Sequence, residues 1–348
     1  MSTRTTGALP SLTIDGRKIV VRKAKTTPNL TAKTVLAEDP WDFVDLWMRQ
    51  QGEDDARFYW GQAREFASAA EALTSISAPL PAYYSILNAT KALLEVRSES
   101  YAFKHGIGGR TADDGRGLTA ERVTLGPGGV LGGLRSVLGE AGPLERFNLK
   151  TLLYNLVWIH RAFVLTYTSV PELFIPLRDP RFVLLPHRRR VWLSADVSEK
   201  DASMARNSDL PAGWESCRQS RNRLVLRRKR RMKWPEDPDE KDLEKLLRYH
   251  RWIRKRVCYI RGPMRLWYFK RGVASKHQVD HSSMVITFAA MHRLSDLARY
   301  DPNTLQRYLE GQGNWLLNEF ISIALNQFID EIAAEITGME FMIPGTRQ

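Results

Sequence analysis

The stretch PLPAYYSILNATKALLEV at 79–96 constrains the fold of this 348-residue chain more than any other. From Ala82 to Val96 it holds no glycine or proline. Two apolar stripes lie side by side on it at helical spacing, Ala82, Ile86, Ala89 and Leu93, then Tyr83, Leu87, Thr90 and Leu94. Tyr84, Asn88, Lys91 and Glu95 are left as the polar stripe. A helix apolar over most of its circumference has to be surrounded, so the chain must supply several elements to pack round it.

Helical signals for those elements are plentiful. DPWDFVDLWMRQQ offers Asp39 as an N-cap with Pro40 at the first helical position, where a missing N–H costs nothing. In 54–73, Phe58, Gln62, Phe66, Ala69, Ala70 and Leu73 recur at three- and four-residue steps and predict one buried face. Residues 148–169, 239–258, 278–299, 302–310 and 314–337 also read as helices, the last through Leu317, Phe320, Ile321, Leu325, Phe328, Ile329, Ile332 and Ile336. Residues 105–147, rich in glycine, predict a long loop region with one or two short elements. Neither a dinucleotide-binding GxGxxG nor a Walker phosphate loop occurs there. From Pro171 to Trp234 the period changes to two: RFVLLP, RRVWLSA and NRLVLRRK predict a small antiparallel sheet.

The expectation is an α-rich α+β protein, a helical bundle core carrying a small antiparallel β insertion. Residues 1–38 form an irregular arm, 39–170 and 239–348 the two parts of the core, and 171–238 the β-rich basic insertion. No run of eighteen apolar residues occurs, and LLYNLVWIHRAFVLTY is interrupted by Asn155, His160 and Arg161, so no membrane span is expected. MSTRTTGALPSL lacks the apolar stretch of a secretory signal, which makes a cytoplasmic location the expectation. Cys217 and Cys258 form neither a CxxC pair nor a Cys/His ligand set. His277 and His281, with Asp280, would share a helix face but lack a nameable third ligand, so neither metal nor cofactor is expected. Signatures of a serine-nucleophile elbow, a carboxylate pair and a kinase are missing from the sequence.

Charge points to a partner. The chain carries a net charge of +13, with arginine outnumbering lysine 37 to 15, and guanidinium groups suit phosphate. RQSRNRLVLRRKRRMK at 218–233 packs nine basic residues into sixteen without an acid. Residues 245–272 add ten more, interleaved with Tyr249, Trp252, Tyr259, Trp267, Tyr268 and Phe269. Cations that neutralise phosphates beside aromatics that stack bases suit RNA or single-stranded DNA. The candidate contacts are Arg227, Arg228, Lys229, Arg230, Arg231, Lys233, Arg251, Arg254 and Lys255. The competing reading is a sheet edge protected by charge, with the aromatics in a core.

The segments ARFYWGQAREFASAAEAL at 56–73, PLPAYYSILNATKALL at 79–94, KHG at 104–106, LYNLVWIHRAFVL at 153–165 and MHRLSDLARYDP at 291–302 together resemble the YaaC-like family of bacterial proteins. That resemblance implies a mostly helical cytosolic protein and no firmly assigned reaction. The YYSILNATKALL helix is also similar to the tyrosine-containing helix of HEPN-type bundles, found in RNases of toxin–antitoxin and phage-defence systems and in nucleotide-binding modules. Their nuclease pattern is Arg, four to six residues, then His. Arg97 and His105 have seven residues between them and do not fit it. Arg181 with His187 and Arg271 with His277 do fit, but Arg181 starts a predicted strand. Arg271 and His277 are thus the candidate catalytic pair, the arginine for a phosphorane and the histidine as acid or base. Tyr84, Asn88, Lys91 and His105 are candidate ligand contacts, or else an interhelical seam in which Lys91 meets Glu65. The functional expectation is a nucleic-acid-associated component of a bacterial antiphage-defence or stress-response system. The alternatives are a HEPN-type RNase and a non-catalytic scaffold, with a protein partner from the same operon or a homo-oligomer.

Overall fold

The computed structural model describes residues 9–37, 39–113, 116–220, 223–262, 266–272 and 277–342. The arm contributes β1 (Thr13–Ile14), β2 (Arg17–Lys18) and β3 (Val35–Leu36), followed by α1 (Pro40–Gln51), α2 (Asp54–Glu71) and α3 (Pro79–Val96). Next come β4 (Ile107–Thr111), β5 (Glu121–Leu125), α4 (Gly129–Val137), β6 (Glu145–Asn148), α5 (Leu149–Tyr154) and α6 (His160–Thr166). A run of strands follows: β7 (Phe174–Leu185), β8 (Arg190–Val197), β9 (Trp214–Ser220), β10 (Arg223–Arg228) and β11 (Met232–Lys233). The chain continues through α7 (Glu240–Arg254), β12 (Val257–Ile260), β13 (Leu266–Lys270), α8 (Ser283–Tyr300), α9 (Pro302–Glu310), α10 (Asn314–Thr337) and β14 (Phe341–Met342).

Helix α3 is enclosed as its two apolar stripes require, with Ile86, Ala89, Leu93 and Leu94 fully buried and α2, α8 and α10 packed around it. Asp39 caps α1 by accepting from the Trp41 N–H at 2.8 Å. The buried face of α2 differs from the expected one. It consists of Ala56, Trp60, Ala63, Ala67 and Ala70, while Phe58 and Leu73 are exposed. Small alanines let the α2 and α3 backbones approach closely, and Ser85 Oγ on α3 donates to the Ala63 carbonyl at 2.7 Å. The single helix expected over 148–169 is divided at Asn155. The Asn155 side chain donates to the Thr151 and His277 carbonyls, both at 2.8 Å, and accepts from the Val279 N–H at 2.9 Å, so the chain turns there to hold the segment that leads into α8.

A helical bundle with a small β insertion is not the architecture. Strands β7 to β13 form one seven-stranded sheet in the order β12-β13-β7-β8-β10-β9, with β11 paired to β8. The sheet has its own apolar core, which takes Leu12, Ile19 and Val21 from the arm and Leu246, Tyr249 and Ile253 from α7. The helix expected over 239–258 therefore lies against the sheet, and its last residues already belong to β12. Val257, Tyr259, Trp267 and Phe269 are the alternate, buried residues of β12 and β13, a period of two hidden in the sequence because the residues between them, Cys258 and Tyr268, are also apolar or aromatic. The glycine-rich region is likewise ordered into helix α4 and a three-stranded antiparallel sheet, β4-β5-β6.

The arm, expected to be irregular, is held by strand contacts near both of its own ends; its residues 1–8 and 38 lie outside the described residues. Leu12 N–H donates to the Phe182 carbonyl of β7 at 2.8 Å, and β3 pairs in parallel with β14. Between these contacts the Glu335 carboxylate accepts from the Lys25 N–H at 2.5 Å, the Thr26 N–H at 3.1 Å and the Thr26 hydroxyl at 2.7 Å. No helix among the described residues is long and apolar enough to cross a membrane.

Candidate functional site

The polar stripe of α3 is built into a packed seam. Asn88 is buried and donates to its own helix at the Tyr84 carbonyl, 3.0 Å away. The Tyr84 ring stacks on Phe66 at 5.3 Å between centroids. Lys91 Nζ sits 5.0 Å from the Tyr59 ring centroid, a cation–π contact in place of the expected pairing with Glu65. Burial pulls the Lys91 ammonium below its ordinary pKa. His105 follows in the KHG turn, whose backbone caps α4: the Val130 N–H reaches the Lys104 carbonyl at 2.9 Å and the Leu131 N–H the His105 carbonyl at 3.1 Å. Gly106 is required at that crossing. It adopts φ +76°, and a Cβ there would lie 2.0 Å from the Gly128 carbonyl oxygen.

Three side chains that the sequence did not single out complete this seam. Tyr83 faces His105 at 5.5 Å, His292 of α8 lies 4.9 Å from Tyr83 and 6.0 Å from His105, and Asp296 Oδ2 is 3.5 Å from His292 Nδ1 without hydrogen-bond geometry. The sequence signal was available in MHRLSD at 291–296, four-residue spacing on a helix, but only the fold turns it toward α3. Burial, then Lys91 and Arg299, lowers the His105 pKa. Burial, then His105 and Arg293, pulls His292 down to about 4. Burial also raises Tyr83 and Asp296. Ring separations of 4.9–6.0 Å are ordinary aromatic packing, so the group reads first as an interhelical seam that holds its imidazoles neutral.

That arrangement sets a pH dependence. A histidine near 6.5 in the unfolded chain and near 4 in the fold contributes stability that is present above 6.5 and lost as the pH falls toward 4. Acidification from pH 7 to 5 should remove about 2 kcal/mol through His292. Denaturant midpoints measured at both values should converge by that amount in His292→Asn; an unchanged acid slope in the variant would remove the assignment.

Of the candidate pair Arg271 and His277, the arginine is engaged in packing. Arg271 is buried, donating to the Glu172 carbonyl at 2.7 Å and pairing with Asp209 at 2.7 Å, which joins β13 to the loop before β9. His277 is exposed and its carbonyl is held by Asn155; residues 273–276 lie outside the described residues. The shared helix face for His277 and His281 is also absent, because α8 begins at Ser283. His281 instead contacts Glu145 at 2.8 Å and Glu140 at 3.4 Å. Arg181, of the other spaced pair, lies in β7 against Asp179, and Arg97 ends α3 bonded to the Thr27 hydroxyl at 2.5 Å and to the Glu335 carbonyl.

The nine basic candidates divide. Arg227 pairs with Glu215 at 2.8 Å; Arg228 is buried 3.0 Å from the Trp252 ring centroid; Arg254 is buried, donating to the Val257 carbonyl and, at 3.0 Å, to the Lys23 carbonyl. These three hold the sheet and its helix together. Lys229, Arg230, Arg231, Lys233, Arg251 and Lys255 are exposed; Arg251 also donates to the Thr26 carbonyl at 2.9 Å. The interleaved aromatics are largely interior: Tyr249, Tyr259, Trp267 and Phe269 are core residues. What the fold adds is a second basic turn. Strand β11 pairs with the start of β8 so that Lys233 lies opposite Arg190, and Arg188 is exposed one turn before it. HRRR at 187–190 was legible as a basic run, but its place beside 229–233 depends on the sheet.

An α+β protein with a helical core, a seven-stranded sheet and a basic turn pair at one sheet end is the class defined by these features. Residues 21–336 match the family model described as YaaC-like Protein, and the chain belongs to that family. No curated protein and no solved structure matches it.

Proposed function

We propose that this protein binds nucleic acid, RNA or DNA, through the paired basic turns at 188–190 and 229–233. The observation that carries the reading is Lys233 directly opposite Arg190 in an antiparallel pair. Like charges in that position repel, and a polyanion laid across them relieves the repulsion. Among the described residues, Arg188, Arg190, Lys229, Arg230, Arg231 and Lys233 have no carboxylate partner. With the neighbouring aromatics in the core, contact is to phosphates and carries little base preference. The proposal is confined to binding.

Changing Arg188, Arg190, Arg230, Arg231 and Lys233 together to glutamine leaves the structural Arg227 and Arg228 in place. Fluorescence anisotropy with labelled single-stranded and duplex oligonucleotides, between about 50 and 200 mM salt, should show binding weakened at least tenfold and a salt slope reduced by several units. Wild-type protein with no affinity at the lower salt, or a variant with the same slope, overturns the reading.

A further inference from the structure

The sheet β4-β5-β6 has a second charged face. Glu121, Val123 and Leu125 of β5 point into the core, so strand alternation turns Arg122 and Thr124 the other way. Register places Arg110 directly opposite Arg122, Arg122 opposite Asn148, and Thr124 opposite Arg146. Three guanidinium groups thus share one small face, on strands whose sequence, glycine-rich and without periodicity, gave no sign of a site. A cavity of about 490 Å³ lies on this face, lined by the three arginines with Thr124, Asn148 and His277. Its size falls in the range of ligand sites.

A second cavity of about 220 Å³ shares Asn148, Thr151 and His277 with the first. Beyond that common wall its lining adds Tyr154, Phe163, Val170 and Pro171, with Thr119, Lys150 and Ser169 as polar members. The first compartment is lined by three arginines, whereas the adjoining one combines two aromatic rings and aliphatic side chains with a single lysine. Guanidinium groups match phosphate oxygens in charge and geometry, whereas an aromatic and aliphatic slot takes a flat ring.

We propose that the two cavities form one site for a small phosphorylated ring compound of the nucleotide class, its phosphate among Arg110, Arg122 and Arg146 and its base against Tyr154, Phe163 and Val170. Asn148 and His277 stand at the junction, where the sugar would lie. The site shares no residue with the basic turns at 188–190 and 229–233, so it is independent of the nucleic-acid reading.

Isothermal titration calorimetry on the full chain with AMP, GMP, CMP and UMP, each against its own nucleoside and inorganic phosphate, tests it. At least one nucleotide should bind about tenfold more tightly than both fragments. Arg110→Gln with Arg146→Gln, at two exposed positions, should weaken that nucleotide about tenfold and leave its nucleoside unchanged. Ser169→Trp, an exposed position lining the smaller cavity, should weaken the nucleotide and leave inorganic phosphate unchanged. Thermal melts establish that each variant is folded. The proposal fails if no nucleotide outbinds inorganic phosphate, or if the arginine variant binds it as the wild type does. Oligonucleotide binding should be unaffected by the arginine variant.

Discussion

Glu121→Ala should destabilise the protein by about 3–5 kcal/mol, because it leaves a buried guanidinium without its main partner. The Glu121 side chain is fully buried in β5. It accepts from Arg293 Nε at 2.8 Å and Nη2 at 2.5 Å, and from the Tyr308 hydroxyl at 2.7 Å. One carboxylate thus ties the three-stranded sheet to α8 and α9. Gly109 makes the approach possible, since a Cβ there would lie 2.8 Å from Arg293 Cδ. In the variant, Arg293 keeps the Thr111 hydroxyl at 2.8 Å and Asp296 at 3.6 Å, which cannot replace two short charge-assisted bonds. The check is a denaturant midpoint with m unchanged, alongside the Glu121→Ala, Arg293→Ala double variant. The double variant should lose less than the sum of the two single losses. A loss below about 1 kcal/mol in Glu121→Ala would show that the pair is dispensable.

The second large effect is expected where the arm meets α10. Lys23, in the arm, is buried and donates to Asp330 Oδ1 of α10 at 3.0 Å and to the Phe341 carbonyl at 2.9 Å. Asp330 also accepts from the Tyr259 hydroxyl of β12 at 2.6 Å, so arm, sheet and last long helix meet at one carboxylate. Burial, then Asp330, drives the Tyr259 pKa well above its ordinary value, which keeps that hydroxyl a donor. Lys23→Met should cost about 3–5 kcal/mol by leaving Asp330 charged and under-compensated, and Lys23→Met with Asp330→Leu should recover part of it. Proteolysis of the arm under native conditions should rise in the single variant. A stable, protease-resistant Lys23→Met protein would sink the assignment.

These two pairs also mark where sequence reading stops. Glu121 and Arg293 are separated by 172 positions, and Lys23 and Asp330 by 307; no local pattern flags either pair. Local signals fared better. The Asp39 cap, the enclosed α3, the second half of β7 with β8 and β10, and helices α8 to α10 follow from periodicity and capping. The failures have physical causes. The buried face of α2 is alanine except for Trp60, and so carries too little hydrophobic weight to outvote Phe58 and Phe66 on a periodicity count. In β12 and β13 the residues between the alternating core positions, Cys258 and Tyr268, are also apolar or aromatic, which masked the sheet. Glycines at 106 and 109 read as loop but mark close backbone and side-chain approaches inside ordered structure.

The candidate sites divide in the same way. Basic density near 218–233 was plain, but the division between Arg227, Arg228 and Arg254, engaged in packing, and Lys229, Arg230 and Lys233, left in solvent, with the exposed Arg231 over the Trp192 ring, depends on strand alternation and on which face meets α7. The family, the helices and the cationic character follow from the sequence itself, because spacing, capping and charge are properties of neighbours along the chain. Tertiary structure alone decided the size of the sheet, the pairing of Lys233 with Arg190, the convergence of Tyr83, His105 and His292, and the arginine face of β4-β5-β6. Each of those joins residues distant in sequence, and such contacts arise only when the whole apolar surface is buried at once.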